Sequence, residues 1–349
     1  ELAIQLEDTR SATRSTTLQL NQPIELGGKR AARIDAAERG REAAAAELRG
    51  KLAEVRAAVT VAFFDTLVAQ ERLRLARDAV ELAQRATEVA RRRVLAGKVS
   101  PIEETRARVA ETGVRVALRT AESELASARS RLAGTWGDAS PRFERVDGDP
   151  GALPLLPPPA ELERRIDSSP GIARARIEVE RRLALVEVER SRRVPNVTVS
   201  LGARRNNELG RDQAILGVSI PIPLFDRNDG NLLEALRRAD KARDDLSATE
   251  VRLSTEMMQA LGRLAAARDE MASLERDILP GARHAYDAVL KGFELGKFGF
   301  LEVLDAQRTL FQAKSQSLRA FADAQRAAAE IERLAGAVPQ EPASTPARQ

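Results

Sequence analysis

The chain has 349 residues, of which 43% are hydrophobic, 31% charged and 3% aromatic, and it contains no cysteine. The lack of cysteine excludes disulfide frameworks and cysteine zinc sites, and the shortage of aromatic side chains argues against a thick globular core. The net charge of +4 comes from 56 basic and 52 acidic residues that are interspersed, which favours a solvated helical surface over nucleic-acid binding.

The first segment alternates between apolar and polar residues, interrupted by a polar stretch over residues 8–15. This alternation predicts a β-hairpin over residues 1–24 with one apolar and one polar face. Its apolar positions are Leu2, Ile4, Leu6, Leu18 and Leu20. Because the chain opens directly on this pattern, without a signal peptide, we expect a trimmed N-terminus. No apolar run approaches the roughly 20 residues of a membrane-spanning helix.

A very long helical pattern follows the hairpin. After Pro23 the next proline is Pro101, and residues 29–134 are predicted to form a helical hairpin that turns at Gly97. The first arm would be on the order of 100 Å long, far beyond the usual length of a globular helix. Such an arm is typical of a coiled coil or of the wall of a helical tube.

The middle of the chain is rich in proline, glycine and aspartate, and residues 137–159 are predicted to be a linker. Helices are expected over residues 160–194, a second β-hairpin over 196–224 and a second helical hairpin over 229–335. In that hairpin a seam of leucine and alanine repeats every seven residues from Leu232 to Ala260, as in coiled coils. Pro280 is expected to interrupt the helix, and residues 338–349 are expected to be disordered.

Two parts of the chain repeat each other. The segment around Gly97-Lys98 has a counterpart around Gly296-Lys297 about 200 residues later, and the proline corners upstream match as well. A repeat at fixed spacing indicates duplication of one unit, here residues 1–136 and 160–337. Four strands cannot close on themselves, but copies from several subunits could form a barrel with its apolar positions facing lipid.

Motifs for catalysis are nearly absent. His284 is the only histidine, and no glycine upstream of Gly97-Lys98 has the spacing of a phosphate-binding loop. Asp226 and Asp229 are best explained as caps at a helix start. The sequence therefore predicts neither an enzyme nor a resident metal or cofactor.

Acidic residues follow both glycine turns. Glu302 and Asp305 share one helix face, and Glu103 and Glu104 hold the matching place in the first repeat. They could simply stabilise the positive end of a helix dipole. Alternatively, several subunits around an axis could place them in a ring that selects cations.

Three motifs resemble a known family, the TolC-like outer-membrane factors, and in particular the CzcC-like channels of heavy-metal efflux systems. They are the two strand-to-helix corners and the entry to the last helix. In this sequence they read Asn21-Gln22-Pro23-Ile24-Glu25-Leu26-Gly27-Gly28-Lys29-Arg30, Ile220-Pro221-Ile222-Pro223-Leu224-Phe225-Asp226-Arg227-Asn228-Asp229-Gly230 and Phe300-Leu301-Glu302-Val303-Leu304-Asp305-Ala306.

The resemblance implies a mainly α protein with β structure, in which long antiparallel α-hairpins form an α-barrel. Two β-hairpins would contribute four strands to a trimeric transmembrane β-barrel. It further implies a homotrimer in the bacterial outer membrane that contacts lipid and extends into the periplasm. The partners would be a periplasmic adaptor (membrane fusion) protein and an inner-membrane RND-type pump.

The resemblance also implies roles for individual residues. The tips that meet the adaptor would comprise Gly97, Lys98, Ser100, Gly296 and Lys297. The closed aperture would comprise Glu302, Asp305, Glu103, Phe293 and Phe298. The two phenylalanines stand where some members have a Tyr–Arg pair, so a polar lock is not expected. A helical pair that the family places before the first strand is also missing.

These observations predict an outer-membrane channel that serves as a passive export duct, with heavy-metal cations as the expected cargo. The alternative is a soluble helical scaffold or periplasmic adaptor subunit without a pore. A channel would depend on detergent and a scaffold would not, so solubility discriminates between them.

Overall fold

The computed structural model describes residues 1–8, 10, 12–153, 158–167 and 169–336. The strands are β1 (Leu2–Glu7), β2 (Ser15–Ile24), β3 (Val197–Asn206) and β4 (Arg211–Ser219). The helices are α1 (Lys29–Leu95), α2 (Pro101–Gly134), α3 (Pro159–Ile166), α4 (Pro170–Arg192), α5 (Asp229–Ser273), α6 (Leu279–Glu294) and α7 (Phe300–Ala335). The predicted disordered tail, 338–349, lies outside the described residues.

The chain forms two compact units. The first contains Glu1–Arg49 and Gly171–Val251, and the second contains Gly50–Pro170 and Arg252–Gln349. Helices α1 and α5 contribute to both units, so this division cuts across the two sequence repeats. No helix in the described ranges is both long enough and apolar enough to cross a membrane.

The four strands of the first unit form one antiparallel sheet in the order β1-β2-β3-β4. Leu20 lies opposite Leu201, which lies opposite Leu216. Val199 likewise lies opposite Val218. Residues opposite one another share a face of a sheet, as do alternate residues of one strand. The register therefore confirms that the apolar positions of both predicted hairpins lie on a single face.

This apolar face is the exposed one. Leu216 is 76% exposed and Ile4 is 66% exposed. On the opposite face Thr17 is buried, and Ser200 Oγ donates a hydrogen bond of 2.7 Å to Asn21 Oδ1. The sheet is thus inverted relative to a water-soluble protein, which places apolar side chains inside.

The corner between β2 and α1 depends on Gly27. Its φ of +70° lies in the left-handed region, which glycine adopts without steric cost. A Cβ at this position would also lie only 2.6 Å from Val194 Cβ. Any other residue would therefore disturb both the turn and its contact with the chain that follows α4.

Helix α5 follows the predicted heptad seam. Ala239, Leu253 and Ala260 are buried, and the buried spacing of alternately three and four residues continues through Leu264 to Leu274. The small alanines allow neighbouring helices to approach closely. The seam predicted from sequence is confirmed as the inward face of α5, with Leu232 and Leu246 half-buried.

The expected interruption at Pro280 is wrong. A five-residue π-helical turn, Leu274–Ile278, joins α5 directly to α6, which begins at Leu279. A π turn shifts the backbone hydrogen-bond register, and Pro280 lies in the first turn of α6, where its missing N–H needs no partner within the helix. The chain therefore remains helical up to the second glycine turn.

The core of the second unit gathers around Phe321, which packs with Leu67, Met271 and Leu274. Part of the segment predicted to be a linker also attaches here. Gln70 donates to the carbonyl of Val146 at 2.9 Å and accepts from its N–H at 2.7 Å. This reciprocal pair fixes the linker backbone against α1.

Candidate functional site

The candidate site lies in the second unit, where two glycine turns connect α1 to α2 and α6 to α7. We call residues 96–100 the first turn and residues 295–299 the second turn. In the first turn Gly97 N–H donates to Val94 O and Lys98 N–H donates to Arg93 O, both at 2.9 Å. The second turn repeats this pattern: Gly296 N–H donates to Phe293 O at 3.0 Å and Lys297 N–H donates to Gly292 O at 2.8 Å.

Both turns end their helices by the same motif, in which a glycine with positive φ satisfies the last free carbonyls of the helix. Gly97 has a φ of +69° and Gly296 a φ of +75°. The predicted need for glycine at both turns is confirmed. The backbone duplication inferred from sequence therefore extends to individual hydrogen bonds.

The helices after the turns begin with different caps. Ser100 caps α2, and its Oγ accepts a long hydrogen bond of 3.5 Å from the N–H of Ile102. Gly299 occupies the same position before α7 and offers no side chain. Instead the Glu302 carboxylate folds back, and a Cβ at Gly299 would lie 2.8 Å from its Oε2. Glu302 thus lies beside the positive end of α7, where a carboxylate is favourable, but it forms no capping hydrogen bond with the helix start.

An apolar cluster joins the helices next to the two turns. Ala90 of α1, Ala107 of α2, Phe293 of α6 and Phe300 of α7 are all buried in it. The Phe293 and Phe300 ring centroids lie 6.2 Å apart, a favourable distance for aromatic packing. This cluster holds the first and second turns side by side.

Arg93 supplies a polar contact within the same region. Its guanidinium carbon lies 5.0 Å from the centre of the Phe293 ring, within the range of a cation–π interaction. Sequence analysis did not select Arg93 or Phe300. One difference between the repeats could have drawn attention to Arg93. It lies four residues before Gly97, where the second repeat has Gly292 before Gly296.

A cavity of about 290 Å³ lies between the two turns. Apolar groups and the side chains of Arg93, Glu103 and Glu302 line it. Predicted members of the adaptor-facing and aperture sets therefore share one concave surface.

The acidic residues near the two turns differ in their pairing. Glu103 forms an ion pair of 3.4 Å with Arg106 on its own helix. Glu302 and Asp305 are exposed and form no ion pair with any described residue. Counted from each helix start, Glu302 matches Glu103 while Asp305 matches Arg106. The second repeat thus carries uncompensated negative charge where the first is neutralised.

The two predicted aperture phenylalanines occupy different environments. Phe293 is 4% exposed and belongs to the apolar cluster, whereas Phe298 is 42% exposed. The Phe298 ring covers Gly292, where a Cβ would lie 2.2 Å from ring atom Cδ2. Lys98 and Lys297 are both exposed at the ends of their turns. A side chain at position 292 would therefore require the Phe298 ring to move.

Chemistry other than charge is sparse. Across the described ranges, no three histidine, cysteine, aspartate or glutamate side chains come together as a potential metal site. The arrangement at the turns combines a concave apolar surface with unpaired carboxylates, which suits docking and electrostatic selection.

Comparison with known proteins identifies the family of the chain. The model of a family described as outer membrane efflux protein matches residues 2–138 and 162–337. The cobalt-zinc-cadmium resistance protein CzcC of Cupriavidus metallidurans is 48% identical over 336 residues, which is 96% of this chain and 80% of that protein. The nickel and cobalt resistance protein CnrC of the same organism is 32% identical over 73% of this chain and 60% of that protein.

Solved structures share the fold at low identity. The structure of CusC, from a study of folding and transmembrane channel formation, has a TM-score of 0.82 over 97% of this chain and 81% of that chain. Sequence identity is 19%, so this likeness concerns the fold alone. With the family model and the CzcC match, it leads to one conclusion: the chain belongs to the outer membrane efflux protein family.

Proposed function

We propose that this protein is the outer-membrane channel of a tripartite efflux system that exports heavy-metal cations. The observation that carries the proposal is the inverted sheet, whose apolar face is exposed while its polar face is partly buried. In a membrane barrel such a sheet turns its apolar side chains to lipid and its polar side chains to the lumen. The protein is placed in the outer membrane and extends into the periplasm.

Closure of the barrel requires more than one chain. Within a single chain β1 and β4 each pair on one side only, and unpaired edges are not stable in lipid. Three copies would supply twelve strands, enough for a barrel with an open lumen. We therefore propose a homotrimer.

The first and second turns are proposed to dock a periplasmic adaptor protein, which would connect the channel to an inner-membrane pump of the RND type. Two turns with the same backbone would give each subunit two similar docking sites. The cavity between them offers apolar surface beside Arg93 and Glu103, a combination common at protein interfaces.

The aperture is proposed to be formed by Glu302 and Asp305, repeated about the three-fold axis. Their carboxylates are exposed and lack ion-pair partners among the described residues. Rings of such groups attract cations and repel anions. Buried Phe293 would hold α6 against α7, while Phe298 contacts Gly292 at the edge of the site.

Heavy-metal cations are proposed as cargo because the curated relatives are resistance proteins for cobalt, zinc, cadmium and nickel. A passive duct needs no tight metal site and no catalytic group, so metal selectivity would lie in the pump. Passive export through a duct also requires no resident cofactor.

The barrel is tested by placing a charge on each face of β4. Leu216→Arg should destabilise the assembled channel by about 2–4 kcal/mol, since an arginine facing the bilayer midplane must be desolvated. Ser219→Arg, on the polar face of the same strand, should have a much smaller effect. The measurement is the thermal stability of the trimer in detergent, and equal effects of the two variants would contradict the proposed orientation.

The cargo is tested separately by metal tolerance. Cells that lack their own channel but retain adaptor and pump should regain tolerance to cobalt, zinc and cadmium when they express this chain. Restored tolerance to organic compounds alone would contradict heavy-metal export while leaving the barrel intact.

A further inference from the structure

A second cavity lies in the first unit, where the end of α4 meets the segment between β4 and α5. It has a volume of about 330 Å³. Its lining includes Arg192, Arg193, Pro221, Ile222, Asp226 and Arg227. Three arginines line this cavity, of which Arg192 and Arg193 are paired with carboxylates beside it and Arg227 is paired with no carboxylate that the structure describes. The efflux function does not require an arginine-lined cavity at this place.

The cavity adjoins a strongly exposed apolar segment. Ile222 is 76% exposed, Leu224 is 70% exposed and Phe225 is 100% exposed. Ile222 and Leu224 continue the even-numbered positions that place Leu216 and Val218 on the apolar face of β4. The apolar stripe of the sheet therefore extends past the end of the strand and reaches the cavity through Ile222.

Prolines make this segment compatible with lipid. Pro221 and Pro223 have no backbone N–H, so they leave no donor to be desolvated where ladder partners are missing. Two prolines within three residues also keep the backbone extended. Apolar side chains here can therefore contact acyl chains without a large cost in unsatisfied hydrogen bonds.

The arginines differ in how firmly they are engaged. Arg193 pairs with Asp229 of α5 at 2.9 Å, and Arg192 pairs with Glu189 at 2.7 Å on its own helix. Arg227 is exposed and forms no ion pair with any residue that the structure describes. Arg227 is thus available to an external anion, and Arg192 is a second arginine in the lining of the same cavity.

We propose that this cavity binds the headgroup of an anionic phospholipid from the periplasmic leaflet of the outer membrane. Arg192 and Arg227 bind the headgroup phosphate, since guanidinium groups form paired hydrogen bonds with phosphate oxygens. The acyl chains lie along Ile222, Leu224 and Phe225. Basic pockets next to an apolar membrane-facing surface are a recognised arrangement for anionic lipids.

The apolar segment distinguishes a lipid from a free phosphate ion. A free anion gains nothing from three exposed apolar side chains, whereas a lipid contacts both features at once. The proposal rests on the outer-membrane placement of the sheet and is independent of the cargo. A failure in lipid binding would leave metal export untouched, and the reverse also holds.

The experiment measures lipid retained by the purified full chain in detergent, by native mass spectrometry and by the shift in thermal unfolding. The probes are phosphatidylglycerol, phosphatidylcholine with the same acyl chains, and glycerol 1-phosphate. The variants are Arg192→Gln with Arg227→Gln, and Phe225→Ser. The matched controls are Arg211→Gln and Leu209→Ser, which lie at the opposite end of the sheet and are also exposed.

We expect phosphatidylglycerol to bind at least about tenfold more tightly than either other probe. Phosphatidylcholine carries the same phosphate and acyl chains, but its quaternary ammonium is repelled by the arginines and cancels the headgroup charge. Glycerol 1-phosphate has no acyl chains to bury. The double arginine variant should abolish this preference, and Phe225→Ser should weaken phosphatidylglycerol binding severalfold. The controls should bind like the original chain.

Equal binding of both phospholipids by the original chain would overturn the proposal, and this comparison needs no variant. Glycerol 1-phosphate binding as tightly as the lipid would overturn it too, since that result describes a free-phosphate site. Equal losses in the control variants would also contradict it.

Discussion

The first and second turns have the same backbone and different side chains. Each ends its helix with a glycine of positive φ and the same pair of hydrogen bonds. The side chains at equivalent places often differ, as in the pairs Arg93 and Gly292, Val94 and Phe293, Val99 and Phe298, Ser100 and Gly299, and Arg106 and Asp305. Duplication therefore kept the turn and changed its chemistry.

The difference assigns distinct tasks to the two turns. The first repeat supplies a capping serine, an arginine that stacks on Phe293 and an internally paired Glu103. The second supplies the aromatic rings and the unpaired acids. We infer that the first turn is mainly structural, whereas the second carries the unpaired carboxylates and the exposed Phe298. The following experiments test this difference.

The largest effect is expected from the apolar cluster. Phe293→Ala should cost about 3–5 kcal/mol, since it removes a buried ring. Val94→Ala, at the matching position of the first turn, should cost about 1 kcal/mol because Val94 is only partly buried. Thermal unfolding together with hydrogen exchange of the amides near the turns measures both, and equal costs would contradict the assigned asymmetry.

Replacement of the turn glycines should have the next largest effect, and an equal one at both turns. Gly97→Val and Gly296→Val should each cost about 1–2 kcal/mol, because a β-branched residue is strained at positive φ. Gly113→Ala in α2 is the control, since nothing lies within 4 Å of its Cβ. It should leave stability unchanged or slightly raised.

The same glycine variants test docking. Crosslinking to the adaptor and metal tolerance should both fall, while the trimer survives. Full tolerance with both glycines replaced would exclude adaptor docking at these turns.

The acidic residues test the charge difference. Glu302→Gln with Asp305→Asn should weaken block of the channel by divalent cations at least about tenfold, since two opposite charges are removed and each contributes about 1 kcal/mol in water. Glu103→Gln should change block much less, because Arg106 already neutralises that carboxylate. Planar-bilayer conductance measures cation block in both variants. Unchanged block in the double variant would show that Glu302 and Asp305 only stabilise the start of α7 and do not form the aperture.

The smallest effect is expected at Arg93. Arg93→Met keeps a long apolar side chain but removes the charge above Phe293, and it should cost about 0.5–1 kcal/mol. Arg93→Lys should recover part of this loss. Thermal unfolding at two salt concentrations measures the difference, and identical stability of both variants would show that the arginine contributes only through packing.

The fold was largely predictable because its signals are periodic and local. Alternation placed Leu20, Leu201 and Leu216 on one face, and the register confirms it. The heptad repeat likewise located the buried seam of α5. The prediction at Pro280 was wrong because the π turn Leu274–Ile278, which has no sequence periodicity of its own, leaves the proline in the first turn of α6, where it is tolerated.

The site was predictable only in part. Gly97 and Gly296 were predictable because a positive φ favours glycine, so the residue type itself indicates the turn. Arg93 and Phe293 are about 200 residues apart in sequence, so their contact follows from packing between hairpins. The difference in ion pairing between the two repeats was not predictable either. Whether Glu103 pairs with Arg106 depends on the direction of both side chains, which the sequence does not specify.

The inverted faces of the sheet imply an order of maturation. A newly made chain in an aqueous compartment that folded its sheet early would display Leu216 and Ile4 together with two unpaired strand edges, a template for aggregation. The helices have no unpaired strand edges, because their backbone hydrogen bonds are made within each helix, and their surfaces carry ion pairs such as Arg39 with Glu42. Biogenesis should therefore keep the strands unfolded and escorted by chaperones until neighbouring chains and lipid are at hand.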